Sequence, residues 1–120
     1  MKVVRVSDSP ETRVEGRPIF VGEVHSRALV DAATSAAVTV TLVRFTDGAR
    51  NVPHTHTADQ LLYITEGAGI VASHETEHQV LAGDIVHVPA GEWHWHGAIS
   101  GGHMAHLSIL PPCETNIVEG

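Results

Sequence analysis

Short runs of strand-forming residues, separated by turn residues at regular intervals, are the feature that most constrains this fold. Residues 38–45 (VTVTLVRF) are rich in β-branched side chains that nearly alternate with others, which is typical of a strand. Similar runs, each bounded by glycine, proline or polar residues, cover 61–65, 69–73, 79–81, 85–88, 93–98 and 103–110. No long stretch holds a helical period. Strands spaced in this way predict an all-β sandwich or barrel.

The composition restricts the class of protein. A chain of 120 residues, 42% hydrophobic and 18% charged, suits one soluble globular domain. The net charge of −7 without a basic cluster excludes nucleic acid as a partner. No apolar run approaches the ~20 residues that span a bilayer, and residues 1–10 lack a signal-peptide pattern, so no membrane association is expected. The single Cys113 cannot form an internal disulfide, which favours a cytoplasmic location.

The chain reads as one domain, 1–120, with three parts. Residues 1–30 form a predicted arm of strands, including residues 2–6 and 17–21; residues 38–110 form the barrel core, and 111–120 a short tail. Residues 32–37 fit either a loop or a single helical turn. Within the core, residues 66–67 are predicted to be a turn after which 69–73 pairs back. Because the apolar strands of the arm need cover, we expect a homodimer.

Histidines concentrate in two stretches of the core. In residues 48–67 (GARNVPHTHTADQLLYITEG), His54 and His56 are two apart, so an extended chain points both to one side. Gln60 keeps the same parity after a bend. Residues 83–96 (GDIVHVPAGEWHWH) supply His94 from another strand. Three imidazoles and one amide oxygen make a cage suited to a divalent first-row metal.

These two stretches read G-x5-H-x-H-x3-Q-x6-G and G-x5-P-x-G-x2-H, which resembles the two signature motifs of the cupin superfamily. The resemblance implies a double-stranded β-helix, or jelly roll. Gln60 stands where the family usually has a glutamate ligand, and Ala98 where it usually has asparagine. With the runs HWHGA at 94–98 and MAHL at 104–107, the chain is similar, over about 20–110, to small manganese-dependent cupins with hydroxynitrile lyase activity.

The resemblance implies roles for individual residues. Manganese is the favoured ion, with iron, zinc, nickel and cobalt as alternatives, and the implied ligands are His54, His56, Gln60 and His94. The alternative is a set of ordinary polar barrel residues, or a lost metal site. His106 is the implied acid–base histidine and His96 a second pocket histidine; each is otherwise a buried core imidazole. The implied substrate pocket is lined by Thr41, Val43, Phe45, Ser108 and Leu110.

The remaining histidines and both tryptophans have simpler predicted positions. His74 and His78 fall in a polar hairpin and are expected to be exposed, whereas His87 is expected to pack on its strand. His25 and His103 receive no role. Trp93 and Trp95 have the opposite parity to His94, so we expect them on the outer face or at a dimer contact.

The neutral ligand set favours one kind of chemistry. Three imidazoles and an amide leave the full charge on a divalent ion, which makes it a strong Lewis acid and disfavours higher oxidation states. The first hypothesis is therefore a lyase that acts on a small-molecule substrate, with His106 or His96 removing a hydroxyl proton and a C–C bond to cyanide breaking. A non-haem dioxygenase and a non-catalytic binding barrel are the alternatives.

Overall fold

In the computed structural model, the described residues are 1–14 and 16–118, and they form twelve β-strands and a single turn of 3-10 helix, Val6–Asp8. The strands are β1 (Thr12–Arg13), β2 (Phe20–Val21), β3 (Val24–Val30), β4 (Thr39–Phe45), β5 (Arg50–Asn51), β6 (His54–His56), β7 (Gln60–Ala72), β8 (Glu77–Leu81), β9 (Ile85–Val88), β10 (Trp95–Ala98), β11 (Met104–Leu110) and β12 (Thr115–Ile117). The predicted all-β class is confirmed.

The antiparallel strands curl around one core. Their order is β1-β3-β4-β11-β7-β10-β5-β2, and β8 and β9 also pair with β7. The first part of β7 pairs with β9 and β11, and its last part with β8 and β10. The thirteen-residue β7 thereby belongs to both halves of the curled sheet. This arrangement is the predicted double-stranded β-helix.

Every second side chain along the strands points inwards, and these side chains fill the space between the two halves of the sheet. Leu62 and Ile64 of β7 point inwards and are fully buried, together with Phe45 of β4 and Met104 of β11. Burying a side chain of this size contributes about 1.5–3 kcal/mol. The same interior holds the buried imidazoles of the core, His54, His56, His94, His96 and His106. The apolar core and the histidine cluster are therefore continuous.

The predicted turn at 66–67 is wrong. β7 runs through these residues, and its register against β11 shifts between Ala105 and His106, which marks a bulge. Gly67 has φ +73°, and a Cβ there would collide with the carbonyl oxygen of His103. The glycine that signals a turn in the sequence instead allows a bent strand to pass close to the neighbouring loop.

The predicted strand at residues 2–6 is also wrong. Residues 1–5 lie outside regular structure, residue 6 begins the 3-10 turn, and the guanidinium of Arg27 donates to the carbonyl oxygens of Val6 and Ser9. At 17–21 the strand begins only at Phe20. Residues 32–37 form a loop with a turn, stabilised by the Asp31 carboxylate, which accepts the Ala33 N–H over 3.0 Å.

The stretch predicted as a tail at 111–120 contains β12, which pairs with β6. Residues 119–120 of that prediction lie outside the described residues. Among the described residues, no helix has the length and apolar character needed to cross a membrane.

Candidate metal centre and adjoining histidine pair

Two short segments bring the three candidate ligands together. On β6, His54 and His56 point to the interior because they alternate with Thr55. An isolated antiparallel bridge joins His54 to His94, and each backbone N–H donates to the carbonyl of the other over 3.0 and 3.1 Å. One potential ligand atom from each of the three histidines lies within 4.8 Å of the others. The fold thus fixes the spacing of these imidazoles through the backbone.

Hydrogen bonds to Nδ1 orient each imidazole. The Nδ1–H of His54 donates to the carbonyl of Val52 over 2.7 Å, and that of His94 to the carbonyl of Glu92 over 2.9 Å. Nδ1 of His56 lies 2.9 Å from the hydroxyl oxygen of Thr115. In His54 and His94 the proton is thus on Nδ1, and the Nε2 lone pair is free to bind a metal. Nε2 of His56 is buried and has no hydrogen-bond partner among the described residues.

Gln60, the fourth predicted ligand, lies beside the three histidines. Its amide nitrogen donates to the hydroxyl of Ser108 over 2.8 Å, and its amide oxygen lies 3.3 Å from Nε2 of His94. Because the proton of His94 is on Nδ1, two acceptor atoms face each other here. A divalent cation held by His94 and Gln60 would relieve this repulsion. The buried donors therefore fit a divalent metal held by three imidazoles and an amide oxygen.

Burial favours the neutral form of the three candidate ligand histidines. Burial, followed by the neighbouring His94 ring, lowers the pKa of His54 and the pKa of His56 to about 4. Burial also lowers the pKa of His94. Neutral imidazole is the form that binds metal, so the site is prepared for a cation without the loss of a proton.

A second pair of histidines adjoins this centre. Nε2 of His106 lies 3.2 Å from Nδ1 of His96, and both rings are buried. The ring centroids of His96 and His54 are 5.8 Å apart. Burial lowers the pKa of His106 to about 4, and burial with the charge of His106 lowers the pKa of His96 well below its usual value. The pair consists of two neutral imidazoles joined by one hydrogen bond.

A cavity of about 120 Å³ lies between the ligands and this pair. Of the predicted pocket residues, Val43, Phe45 and Ser108 line it, and Ile19 and Phe20 add apolar surface. Thr41 and Leu110 are not in its wall, because the cavity does not extend along β4 and β11 beyond Val43 and Ser108. A cavity of about 150 Å³ lined by aliphatic and aromatic side chains holds benzene. This cavity therefore suits a compact organic molecule.

Comparison with known proteins identifies the family. The cupin domain family matches residues 41–110, more than half of the chain. The chain belongs to the cupin family. This cupin is 37% identical over 91 residues to an (R)-mandelonitrile lyase of Granulicella tundricola, and the match covers 75% of this chain and 70% of that enzyme. The predicted likeness to hydroxynitrile lyases is thus confirmed.

Solved structures share the fold of this cupin. A cupin-like protein of Thermotoga maritima superposes with a TM-score of 0.82 at 28% identity, over 91% of this chain and 87% of that one. The polyketide cyclase RemF of Streptomyces resistomycificus gives a TM-score of 0.87 at 20% identity, over 100% and 87%. Because RemF is only 20% identical in sequence, its similarity shows a common fold and nothing about activity.

Two residues of the cupin site were missed in the sequence. The side-chain oxygen of Asn51 accepts the backbone N–H of His96 over 2.8 Å, and its amide nitrogen lies 3.1 Å from Nε2 of His96. Thr115 contacts His56 from the C-terminal strand. Each contact joins residues far apart in the chain, so no local spacing indicates it. The sequence offers only one hint of a role for Asn51, its place as a polar residue between Gly48 and His54 of the first motif.

The other histidines of this cupin lie outside the centre. His74, His78 and His103 are exposed. His87 does not pack on its strand as predicted: it is exposed, and its Nε2 lies 2.8 Å from the carboxylate of Asp59. His25 lies between the carboxylates of Glu11 and Glu23.

The two tryptophans lie on the outside of the barrel, as their parity predicts. Trp93 stacks on His74 with ring centroids 4.0 Å apart. The guanidinium of Arg50 lies 5.3 Å from the ring centre of Trp95. Both residues are half-buried.

Proposed function

We propose that this cupin is a metal-dependent, redox-neutral lyase of the hydroxynitrile lyase type, with manganese as its ion. The observation that carries the proposal is the buried neutral pair His96–His106 next to a neutral ligand set in one small cavity. A lyase of this kind needs a base beside a Lewis acid and a compartment for a small organic substrate. The 37% identity to an (R)-mandelonitrile lyase supports the same reaction class.

The ligand set supports redox-neutral chemistry. A divalent ion held by the three imidazoles and the amide of Gln60 would supply Lewis-acid polarisation of a substrate oxygen. Gln60 brings no negative charge, so the ligands do little to stabilise a more oxidised ion. This argues against the non-haem dioxygenase alternative.

The two inner histidines perform the proton transfers. Neutral His106 is able to accept the hydroxyl proton of a cyanohydrin, and His96 shares the resulting charge through the 3.2 Å contact. The electrons of the O–H bond form the carbonyl, and the C–C bond breaks with its electron pair leaving on cyanide. The imidazolium then returns the proton to cyanide, which releases hydrogen cyanide. Burial disfavours the charged imidazolium and so promotes this return.

Apolar side chains hold the organic part of the substrate. Phe45 packs against both inner histidines, with ring centroids 5.8 Å from His96 and 5.6 Å from His106. Phe20 contacts Phe45 edge to face, with centroids 6.3 Å apart. A small aromatic cyanohydrin would place its apolar ring against these aromatic side chains.

Cyanide release from mandelonitrile tests the proposal. The manganese-loaded protein is compared with metal-free protein at the same pH, so that spontaneous decomposition is subtracted. We expect release that depends on the metal. The absence of such release across several cyanohydrins would remove the lyase proposal. Oxygen consumption by the iron-loaded protein would then indicate the dioxygenase, and ligand binding without turnover the binding barrel.

A further inference from the structure

The C-terminal strand β12 lies directly against the strand that carries two of the proposed ligands. Thr115 pairs with His56, and Ile117 pairs with His54. At the two ends of this pairing, the N–H of Thr57 donates to the carbonyl of Glu114 over 3.0 Å, and the N–H of Val118 donates to the carbonyl of Pro53 over 3.1 Å. β12 is thus hydrogen-bonded to the metal-binding segment along its whole length.

Nδ1 of His56 has a different kind of hydrogen-bond partner from Nδ1 of the other two histidines. His54 and His94 each donate to a carbonyl two residues earlier in their own segments. A carbonyl only accepts, so it fixes the proton on Nδ1. The partner of His56 is a side chain 59 residues away in sequence, on β12. Its hydroxyl can accept from Nδ1–H or donate to Nδ1, so the local backbone alone leaves the tautomer of His56 open.

β12 is held mainly by hydrogen bonds. The side chains of Thr115, Asn116 and Ile117 are all exposed, so the strand buries little apolar surface. The N–H of Glu114 also donates to the hydroxyl of Thr57 over 2.9 Å. Segments with few buried apolar contacts open at a lower free energy than the core does. Docking of β12 is therefore an equilibrium that a contact with a buried ligand can shift.

We propose that β12 is a strap that orients His56 through Thr115, so that docking of the strap and binding of the metal stabilise each other. The proposal rests on the metal site of the proposed function and assigns Thr115 as a positioning residue. A metal on Nε2 of His56 requires the proton on Nδ1, where the Thr115 hydroxyl accepts it. Coupling of this kind is reciprocal, because each event changes the equilibrium constant of the other by the same factor.

Metal affinity tests the first half of the proposal. Co²⁺ is titrated into the metal-free protein against a chelator, with its visible absorption as the readout. Thr115→Val removes the hydroxyl but keeps the shape, and we expect about 10–100-fold weaker binding, the usual effect of losing such a partner. Thr115→Ser restores the hydroxyl and should bind like the wild type. Asn116→Val, one position along the same strand, is the matched control and should also bind like the wild type.

Hydrogen exchange tests the reciprocal half. In the wild type, Zn²⁺ should slow exchange of the Thr57 and Val118 amides, whose hydrogen bonds to Glu114 and Pro53 hold the two ends of the strap. In Thr115→Val this slowing should fall by the same factor as the affinity. Wild-type affinity in Thr115→Val, or no rescue by Thr115→Ser, would overturn the strap and leave the metal site standing. Absence of Co²⁺ binding by the wild type would overturn both.

Discussion

At the scale of single residues, Gln60 would decide the charge of the proposed metal centre. Its amide nitrogen is held by Ser108, so the oxygen faces the ligand histidines. We expect Gln60→Glu to retain the metal, because a carboxylate is a good ligand, and to lower the reduction potential of bound manganese, because a negative charge stabilises the higher oxidation state. Metal analysis and spectroelectrochemistry measure the two effects. An unchanged potential with metal bound would show that residue 60 is not a ligand.

His106 is the proposed base, and its removal separates catalysis from metal binding. His106→Ala should lower the rate of cyanohydrin cleavage by ~10²-fold or more, the scale of a positioned acid–base group. Metal content should not change, because His106 faces His96 rather than the ligands. His87→Ala is the matched control, since His87 is exposed and contacts Asp59. Equal rates for wild type and His106→Ala would exclude His106 from the mechanism.

At the scale of elements, Gly67 allows β7 to bend. We expect Gly67→Ala to destabilise the protein by about 1–3 kcal/mol or more, because positive φ is costly for alanine and its Cβ meets the carbonyl of His103. Gly83→Ala is the matched control: Gly83 has φ +98° but no atom within 4 Å of its missing Cβ. Urea denaturation compares the two variants. Equal losses would show that φ alone, and not the contact, matters at Gly67.

The features that the sequence predicts correctly depend on residues that are close together in the chain. Strand periodicity, and the parity of His54, His56 and Gln60, depend on neighbours in the chain, and so the strands and the proposed ligands were found locally. The bulge at Gly67 depends on His103, and the role of Asn51 depends on His96. Exposed side chains on β12 gave no pattern to recognise, because its pairing is made by the backbone. Contacts between distant segments therefore required the structure.

At the scale of the whole molecule, the buried histidines make stability depend on pH. The pKa of His106 is about 4 in the folded protein, against about 6.5 in the unfolded chain. Between pH 6.5 and pH 4, His106 binds a proton in the unfolded chain but stays neutral in the folded protein. The free energy of unfolding therefore falls as the pH falls from 6.5 towards 4, and it is constant above 6.5. At pH 5.5, the lowered pKa of His106 alone should reduce the free energy of unfolding by about 1.4 kcal/mol relative to pH 7.5.

Urea denaturation of the metal-free protein at pH 7.5 and 5.5 measures this loss. His106→Gln has no group that titrates in this range at position 106, so its stability should fall less between the two pH values. His87→Ala should fall as much as the wild type. Equal stability of the wild type at both pH values would contradict the prediction.

An apolar patch on the outer face of the barrel leads us to expect a homodimer. Leu61 and Tyr63 alternate outwards on β7 and are 41% and 40% exposed, and Ile85, which pairs with Tyr63 on β9, is 70% exposed. Contiguous exposed apolar residues commonly mark an interface. Light scattering should give a mass of about twice 12.8 kDa, and Ile85→Lys should lower it. A wild-type mass near 12.8 kDa at micromolar concentration would contradict the dimer.

The position of β7 in both halves of the sheet has a consequence for the nascent chain. All four strands that pair with β7 follow it in sequence, so the ribosome delivers β7 before any of them. His94 emerges 34 residues after Gln60, which at ~5–20 residues per second is about 2–7 seconds. In that interval Gln60 lies on an unpaired strand, and His94 is not yet available to complete the proposed ligand set. The proposed ligand set can therefore enclose a metal ion only after the strands that follow β7 have left the ribosome.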